Sequence, residues 1–189
     1  MEIPAAKEDG NYFQEVPLEF PRVPEGSIKA GETSYKLGSD FLTFTPIEGN
    51  FDEIIYVGYG IEDKAYSDYE DLDVWGKLIL IKSGEPVNED GTYVISGNSE
   101  KSVWSNRSDA PGARLQLARS KGVKGVLYYD PNNYDRYKRY FDYLKESDKS
   151  KLEIKVEEEN AALVLLSDTM IKNIFPAIKE TQTSGSIPQ

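Results

Sequence analysis

Two short apolar runs with a helical pattern between them constrain the fold of this chain more than any other feature. Residues 77–81 and 123–129 each have the length and composition of a buried strand. Between them, residues 110–121 have the pattern of a helix, because Asp109 can cap the first turn and Gly122 suits a left-handed residue just past the end. Strand, helix and strand in this order predict a β-α-β unit with parallel strands, and therefore an α/β fold.

Two further segments extend the predicted sheet. Residues 53–61 are mostly apolar and predict a central strand. Residues 161–166 predict another buried strand, which leads directly into Ser167, a natural cap for the helix that follows. That helix should end near Phe175, because Pro176 interrupts the helical hydrogen bonds.

Weaker patterns complete the secondary structure. Pro17 interrupts the candidate strand at 12–20, so we expect that strand at the edge of a sheet. The remaining predicted elements are strands at 12–20, 34–36, 41–44, 92–95 and 149–159, a loop at 21–31 and a surface helix at 134–146. The sum is an α/β domain with a mixed sheet or an open barrel flanked by two or three helices.

The absence of histidine and cysteine restricts the chemistry of this 189-residue chain. Without these residues it can form no serine–histidine–aspartate triad, no thiol nucleophile, no disulfide and no histidine-bound zinc. An enzyme that works through carboxylates alone stays open as an alternative, because its two acids would meet in space rather than in sequence.

The charge and the hydropathy of the chain restrict its partners. A net charge of −11 disfavours nucleic acid, because an acidic surface repels phosphates. No apolar run approaches the roughly 20 residues that span a bilayer, so we expect no membrane insertion. The amino terminus has neither the basic nor the apolar region of a signal peptide, so an exported protein would carry its signal upstream.

Two motifs have both a functional and a structural interpretation. Gly58-Tyr59-Gly60 follows a strand, as a dinucleotide-binding turn does, but the third glycine is missing and a tight strand-end turn is favoured. Residues 63–73 offer oxygen ligands for calcium but lack the EF-hand spacing, so a solvated acidic loop is favoured. The acids of this loop are Asp63, Asp68, Glu70, Asp71 and Asp73.

The helix at 134–146 is rich in tyrosine. Its aromatic residues recur at helical spacing, which predicts one face that packs on the domain. The alternation of tyrosine with Lys138 and Arg139 is similar to a nucleic-acid surface, but the net charge favours a packed aromatic face with a solvated basic one. The predicted interaction surface comprises Tyr134, Tyr137 and Tyr140 on the helix, with Tyr66 and Tyr69 from the acidic loop.

Three segments resemble a protease-associated (PA) domain. They are EIIYVGYGIEDKAYSDYEDLDVWGKLILIKSGEP (53–86), ARLQLARSKGVKGVLYYDP (113–131) and AALVLLSDTMIKNIF (161–175). The first contains an opening strand, Gly-Tyr-Gly, an acidic loop and Asp-Val-Trp-Gly-Lys before the next strand. YFQEVPLEF (12–20) is similar to the junction segment of PA domains inserted in zinc-dependent aminopeptidases of the transferrin-receptor-like superfamily.

The resemblance implies a swivelling β/β/α fold without catalytic, cofactor-binding or metal-binding residues of its own. Such domains lie beside a peptidase active site, where they shape access of a peptide or protein substrate or hold partners. Zinc is then expected only in an adjacent catalytic domain that this chain lacks, in a secreted or periplasmic protein. The implied organisation is a lead-in and junction strand at 1–20, a PA-like domain at 21–180 with polar insertions at 87–109 and 132–160, and a tail or linker at 181–189.

A second hypothesis is a free-standing module that binds a protein or a glycan through helix 134–146. It requires exposed aromatic side chains on that helix, whereas the PA-like hypothesis requires only that they pack.

Overall fold

The computed structural model describes residues 23–64, 66–106, 108–146 and 161–179, together with the backbone of three two-residue strands outside these ranges. The strands are β1 (Leu18–Glu19), β2 (Ser27–Ala30), β3 (Thr33–Lys36), β4 (Phe41–Thr43), β5 (Ile54–Tyr56), β6 (Glu62–Asp63), β7 (Tyr66–Ser67), β8 (Leu78–Lys82), β9 (Gly125–Tyr129), β10 (Glu153–Ile154), β11 (Ala162–Leu166) and β12 (Gly185–Ser186). The helices are α1 (Ala110–Ser120), α2 (Tyr134–Glu146) and α3 (Asp168–Ile174), with 3-10 helices at Val103–Ser105 and Pro176–Lys179.

One mixed sheet organises the domain. Its strand order is β12-β5-β8-β9-β11-β4, in which β5, β8, β9 and β11 are parallel and the strands at both edges are antiparallel. The two edge strands do not pair with each other, so the sheet is open rather than a closed barrel. The predicted α/β class and mixed sheet are confirmed.

The β-α-β unit lies at the centre of the sheet. β8 and β9 pair in parallel with Leu78 opposite Gly125, and α1 connects them. All five residues of β9 are buried, and so are Ile79 to Ile81 of β8, as expected for parallel strands covered on both faces. Gly122 adopts φ +72°, the left-handed conformation predicted just past the end of α1.

The predicted cap of α1 is wrong. Asp109 lies just before the helix, but its side chain makes no capping hydrogen bond. Asn106 stabilises the turn that precedes the helix, because its Oδ1 accepts hydrogen bonds from the backbone N–H groups of Ser108 at 2.9 Å and of Asp109 at 3.3 Å. The cap of α3 is confirmed, because Ser167 Oγ accepts from the backbone N–H of Met170 at 3.2 Å.

The strand predicted at 53–61 is shorter than expected and is not central. Only Ile54–Tyr56 forms β5, because Gly58 and Gly60 both have positive φ and turn the chain away from the sheet. Residues 92–95 were expected to form one side of a hairpin that turns at Asp90-Gly91. A short antiparallel pairing is present there, with a bridge between Val87 and Tyr93 and a hydrogen bond from the Asn88 N–H to the Thr92 carbonyl at 2.8 Å, but no regular strand forms and residues 94–96 are a turn.

Other predictions on the polar segments have mixed outcomes. Residues 21–31 were expected to be a loop, but β2 forms a hairpin with β3 there. The strands predicted at 12–20 and 149–159 lie mostly outside the described residues, where only the backbone of β1 and β10 is placed, as an antiparallel pair. The helix predicted at 134–146 is confirmed as α2, and α3 ends before Pro176 as predicted.

The helix α2 packs beside the edge strand β4. Phe141 is its one buried residue, and its ring lies 5.9 Å from that of Phe44 and against the backbone of Gly38. None of the helices in the described part of the chain combines the length and the apolarity that crossing a bilayer requires.

Candidate functional site at the carboxyl ends of β8 and β9

A cavity of about 380 Å³ lies beyond the carboxyl ends of the two central strands. Its walls come from the ends of β8 and β9, from the amino-terminal ends of α1 and α2 and from the 3-10 helix that contains Trp104. Ligands of open parallel sheets bind in this position, because the loops that follow neighbouring strands converge there. The side chains that line it include those of Trp104, Asp130, Asn133 and Lys101.

A fully buried arginine holds the loops around this cavity together. Arg114 of α1 has no solvent exposure, and its guanidinium donates only to backbone carbonyls. It donates from Nε to the Tyr59 carbonyl at 2.6 Å and from Nη1 to the Trp104 carbonyl at 2.9 Å. Further bonds reach the carbonyls of Gly84 and Ala110. Burial lowers the pKa of Arg114, but an arginine in a protein stays charged.

A buried carboxylate anchors the polar segment that follows β8. Glu85 is 4% exposed and accepts from the backbone N–H of Ser102 at 3.0 Å and from the Ser102 hydroxyl at 2.6 Å. The Ser105 hydroxyl donates to the same carboxylate. The insertion at 87–109 is therefore fixed at its end by a side chain from the strand-end loop.

Two polar atoms at the cavity lack partners. Asp130 follows β9 directly and is 3% exposed. Its Oδ2 accepts from Asn133 Nδ2 at 2.8 Å, and no donor is placed to bond its Oδ1. The Tyr128 hydroxyl lies close enough that the carboxylate, together with burial, raises the pKa of Tyr128. The indole Nε1 of Trp104 is also buried and donates to no acceptor. Because buried polar atoms are nearly always paired, with protein or with ordered water, each of these two atoms requires a partner from outside the described residues.

The carboxylate of Asp68 closes the Gly58-Tyr59-Gly60 turn. Asp68 Oδ2 accepts from the backbone N–H groups of Tyr59 at 3.1 Å and of Ile61 at 3.0 Å, and the Tyr66 hydroxyl donates to Oδ1 at 2.5 Å. A Cβ at Gly58 would lie 2.4 Å from Oδ1. The strand-end turn favoured by the sequence is confirmed, and the backbone N–H groups of Tyr59 and Ile61 are bonded to Asp68 rather than free for a phosphate.

The acidic loop is only partly solvated. Asp68 is 4% exposed, which corrects the expectation for this member of the loop, whereas Asp63 and Asp73 are exposed. Burial raises the pKa of the Asp68 carboxyl above its usual value, although its hydrogen bonds and Arg114 oppose that rise. Within the described residues, no three histidine, cysteine, aspartate or glutamate side chains are placed to hold a metal ion.

The predicted interaction tyrosines lie in two separate places. On α2, Tyr134 and Tyr137 are half-buried and Tyr140 is 54% exposed. Tyr66 and Tyr69 line a second open cavity beside the β6–β7 hairpin, in which no tyrosine of α2 takes part. Tyr69 is 5% exposed, so it contributes to the core rather than to a surface.

The sequence did not point to Arg114, Glu85, Trp104 or Asp130. The sequence does contain an indication for Arg114: it lies between Ala110 and Ala118 on the buried face of α1, where a charged side chain is unexpected. Asp130 follows a wholly buried strand directly, at the end of a parallel sheet where ligands bind.

Comparison of the chain with known protein families, with curated proteins and with solved structures finds no match. The function proposed below therefore rests on the residues, the fold and the sequence resemblance.

Proposed function

We propose that this chain is a non-catalytic accessory domain of the PA type, which lies beside the catalytic domain of a secreted or periplasmic zinc metallopeptidase. There it shapes the access of a peptide or protein substrate, or holds a protein partner. The zinc and its ligands belong to the catalytic domain.

One observation carries the proposal: the three segments of the resemblance form one continuous unit. Residues 53–86 supply β5 and β8, residues 113–131 supply most of α1 and all of β9, and residues 161–175 supply β11 and α3. Their four strands are adjacent and parallel. Segments that resemble one domain therefore pack as one domain, as the proposal requires.

Two of the three buried carboxylates in the described residues support a non-catalytic role. Asp68 and Glu85 each accept three hydrogen bonds from donors of their own chain. A general acid or base needs a proton-transfer path to a substrate, and carboxylates engaged in this way stabilise loops instead.

A turnover assay tests the proposal. The purified chain is incubated with aminoacyl p-nitroanilides and with short peptides, with and without added zinc, beside a mock purification as background. We expect no hydrolysis above that background. Hydrolysis that survives repurification and follows the chain through the column would overturn the proposal.

A second candidate function is a free-standing module that binds a protein or a glycan through α2. The observation in its favour is an exposed aromatic cluster of Phe44, Tyr140 and Tyr143, which are 36%, 54% and 60% exposed. The rings of Phe44 and Tyr140 lie 5.7 Å apart. Aromatic residues grouped on a surface are typical of interaction sites.

Affinity electrophoresis in gels that contain a neutral soluble polysaccharide tests this candidate. The double variant Tyr140→Ala, Tyr143→Ala should lose any retardation of the native chain. The matched control is Trp75→Ala, which removes an aromatic side chain that is 77% exposed outside the cluster. Equal migration of the double variant and the native chain would count against glycan binding by α2.

A further inference from the structure

The cavity at the ends of β8 and β9 contains one buried hydrogen-bond acceptor and one buried hydrogen-bond donor that have no partner in the described residues. Of the three buried carboxylates in the described residues, Asp68 and Glu85 each accept three hydrogen bonds, whereas Asp130 Oδ2 accepts one from Asn133 and no donor is placed to bond its Oδ1. The neutral Tyr128 hydroxyl on the same cavity interacts with this carboxylate but does not neutralise its charge. The buried indole N–H of Trp104, on the same cavity, has no acceptor. Unpaired buried groups, and charged ones above all, are costly, so a partner for both would bind favourably.

Within the described residues, no cationic side chain forms a hydrogen bond or an ion pair with Asp130. Arg114 lies close behind the cavity, but its guanidinium donates to four backbone carbonyls. Lys101 lines the mouth with an exposed side chain, and no ion pair joins it to Asp130 among the described residues. A cationic donor on a ligand would make a charge-assisted hydrogen bond to the carboxylate, which is stronger than a neutral one.

We propose that this cavity binds a small ligand with a primary ammonium group next to a carbonyl, the ammonium on Asp130 and the carbonyl on the indole N–H of Trp104. The cavity of about 380 Å³ has the volume of a small-molecule site. The inference goes beyond the accessory role proposed above and does not depend on it. A free amine and the amino terminus of a peptide share this chemistry.

Binding requires a small movement at the mouth of the cavity. Asp130 Oδ1 and Trp104 Nε1 each expose less than 1 Å² to solvent. Asn133 donates to the other oxygen of the carboxylate at 2.8 Å and is only half-buried at the mouth. Its side chain is the one we expect to turn aside when the ammonium enters.

The two tryptophans of the chain permit a direct test by fluorescence. Trp75 is 77% exposed and packs over Gly122 after the end of α1, away from the cavity, so Trp75→Phe leaves Trp104 as the only indole. This variant is titrated with glycinamide, which has both groups, and with acetamide, which has the carbonyl but no ammonium. We expect a saturable change in Trp104 emission with glycinamide alone.

Variants of the cavity identify the contact. In the Trp75→Phe background, Asp130→Asn should weaken glycinamide binding roughly tenfold or more, because it removes a charge-assisted hydrogen bond. Asn133→Ala should strengthen binding, because it frees the second oxygen, and it keeps the test valid if Asp130→Asn fails to fold. Thermal melting checks each variant.

Two results would overturn the proposal. One is the absence of a saturable change with glycinamide up to about 50 mM, well above the roughly millimolar dissociation constant of so small a ligand. The other is binding that acetamide matches, or that neither variant alters. Titration with triglycinamide separates the two sources: tighter binding than glycinamide assigns a peptide amino terminus, and weaker binding assigns a small free amine.

Discussion

Removal of the Arg114 guanidinium is the perturbation for which the structure predicts the largest loss of stability. Arg114→Met keeps much of the length of the side chain and its packing but removes every hydrogen-bond donor. Tyr59, Gly84 and Trp104 contribute their carbonyls from three different loops, and each would lose its charged donor.

The magnitude follows from the cost of unpaired carbonyls. A buried acceptor that loses its partner costs about 1–3 kcal/mol, so three acceptors cost roughly 3–6 kcal/mol when water partly replaces the lost donor. Release of the buried charge offsets part of this cost, because burial disfavours the charged guanidinium. We expect a net loss of about 2–5 kcal/mol in the free energy of unfolding, from a total of about 5–15 kcal/mol for a domain.

Urea unfolding followed by circular dichroism measures this loss. The matched control is Arg119→Met in the same helix, because Arg119 is only partly buried and bonds the Ala161 carbonyl at 3.2–3.3 Å. We expect the control to lose about 1 kcal/mol. A loss of less than about 1 kcal/mol for Arg114→Met, or equal losses for both variants, would refute the claim that Arg114 holds the strand-end loops together.

Three other predictions concern the same loops. The pKa of Asp68 is raised in the folded protein, so the contribution of Asp68 to stability is greatest at acidic pH and falls as pH rises through that pKa. In urea unfolding, the stability of the native chain relative to the Asp68→Asn variant should therefore fall from pH 4 to pH 7. A rise over this range would contradict the prediction. Glu85→Ala should speed cleavage by trypsin after Lys101 without a comparable loss of global stability, because the insertion at 87–109 loses its hydrogen bonds from Ser102 to the Glu85 carboxylate. Unchanged cleavage would refute the anchor role of Glu85. Gly60→Ala should lower the free energy of unfolding, measured by thermal denaturation, by about 2 kcal/mol or more, because φ at this position is +67° and the new methyl group would lie 2.9 Å from the Ile81 side chain. A variant as stable as the native chain would refute this.

The parallel core was predictable because its signals are local. β8, α1 and β9 follow from runs of apolar residues and from Gly122, all within one β-α-β unit. The length of β5 was not predictable in the same way, since the run at 53–61 is apolar throughout and only the conformations of its glycines end the strand after Tyr56.

The candidate site was not predictable because its contacts join distant parts of the chain. Arg114 bonds a carbonyl 55 residues away, and Glu85 bonds serines 17 and 20 residues away. The α1 cap shows the same limit over a short distance: Asp109 has a side chain that is able to cap the helix, but it makes no capping hydrogen bond. Sequence patterns identify which residues are able to make such bonds, and the fold decides which of them do.

The intact mass of the native gene product in its source cells tests the central claim most directly. An accessory domain predicts a mass far larger than 21.3 kDa, with a histidine-containing catalytic module in the same polypeptide. A native mass equal to that of this chain alone would contradict the accessory role, because no active site would lie beside the domain.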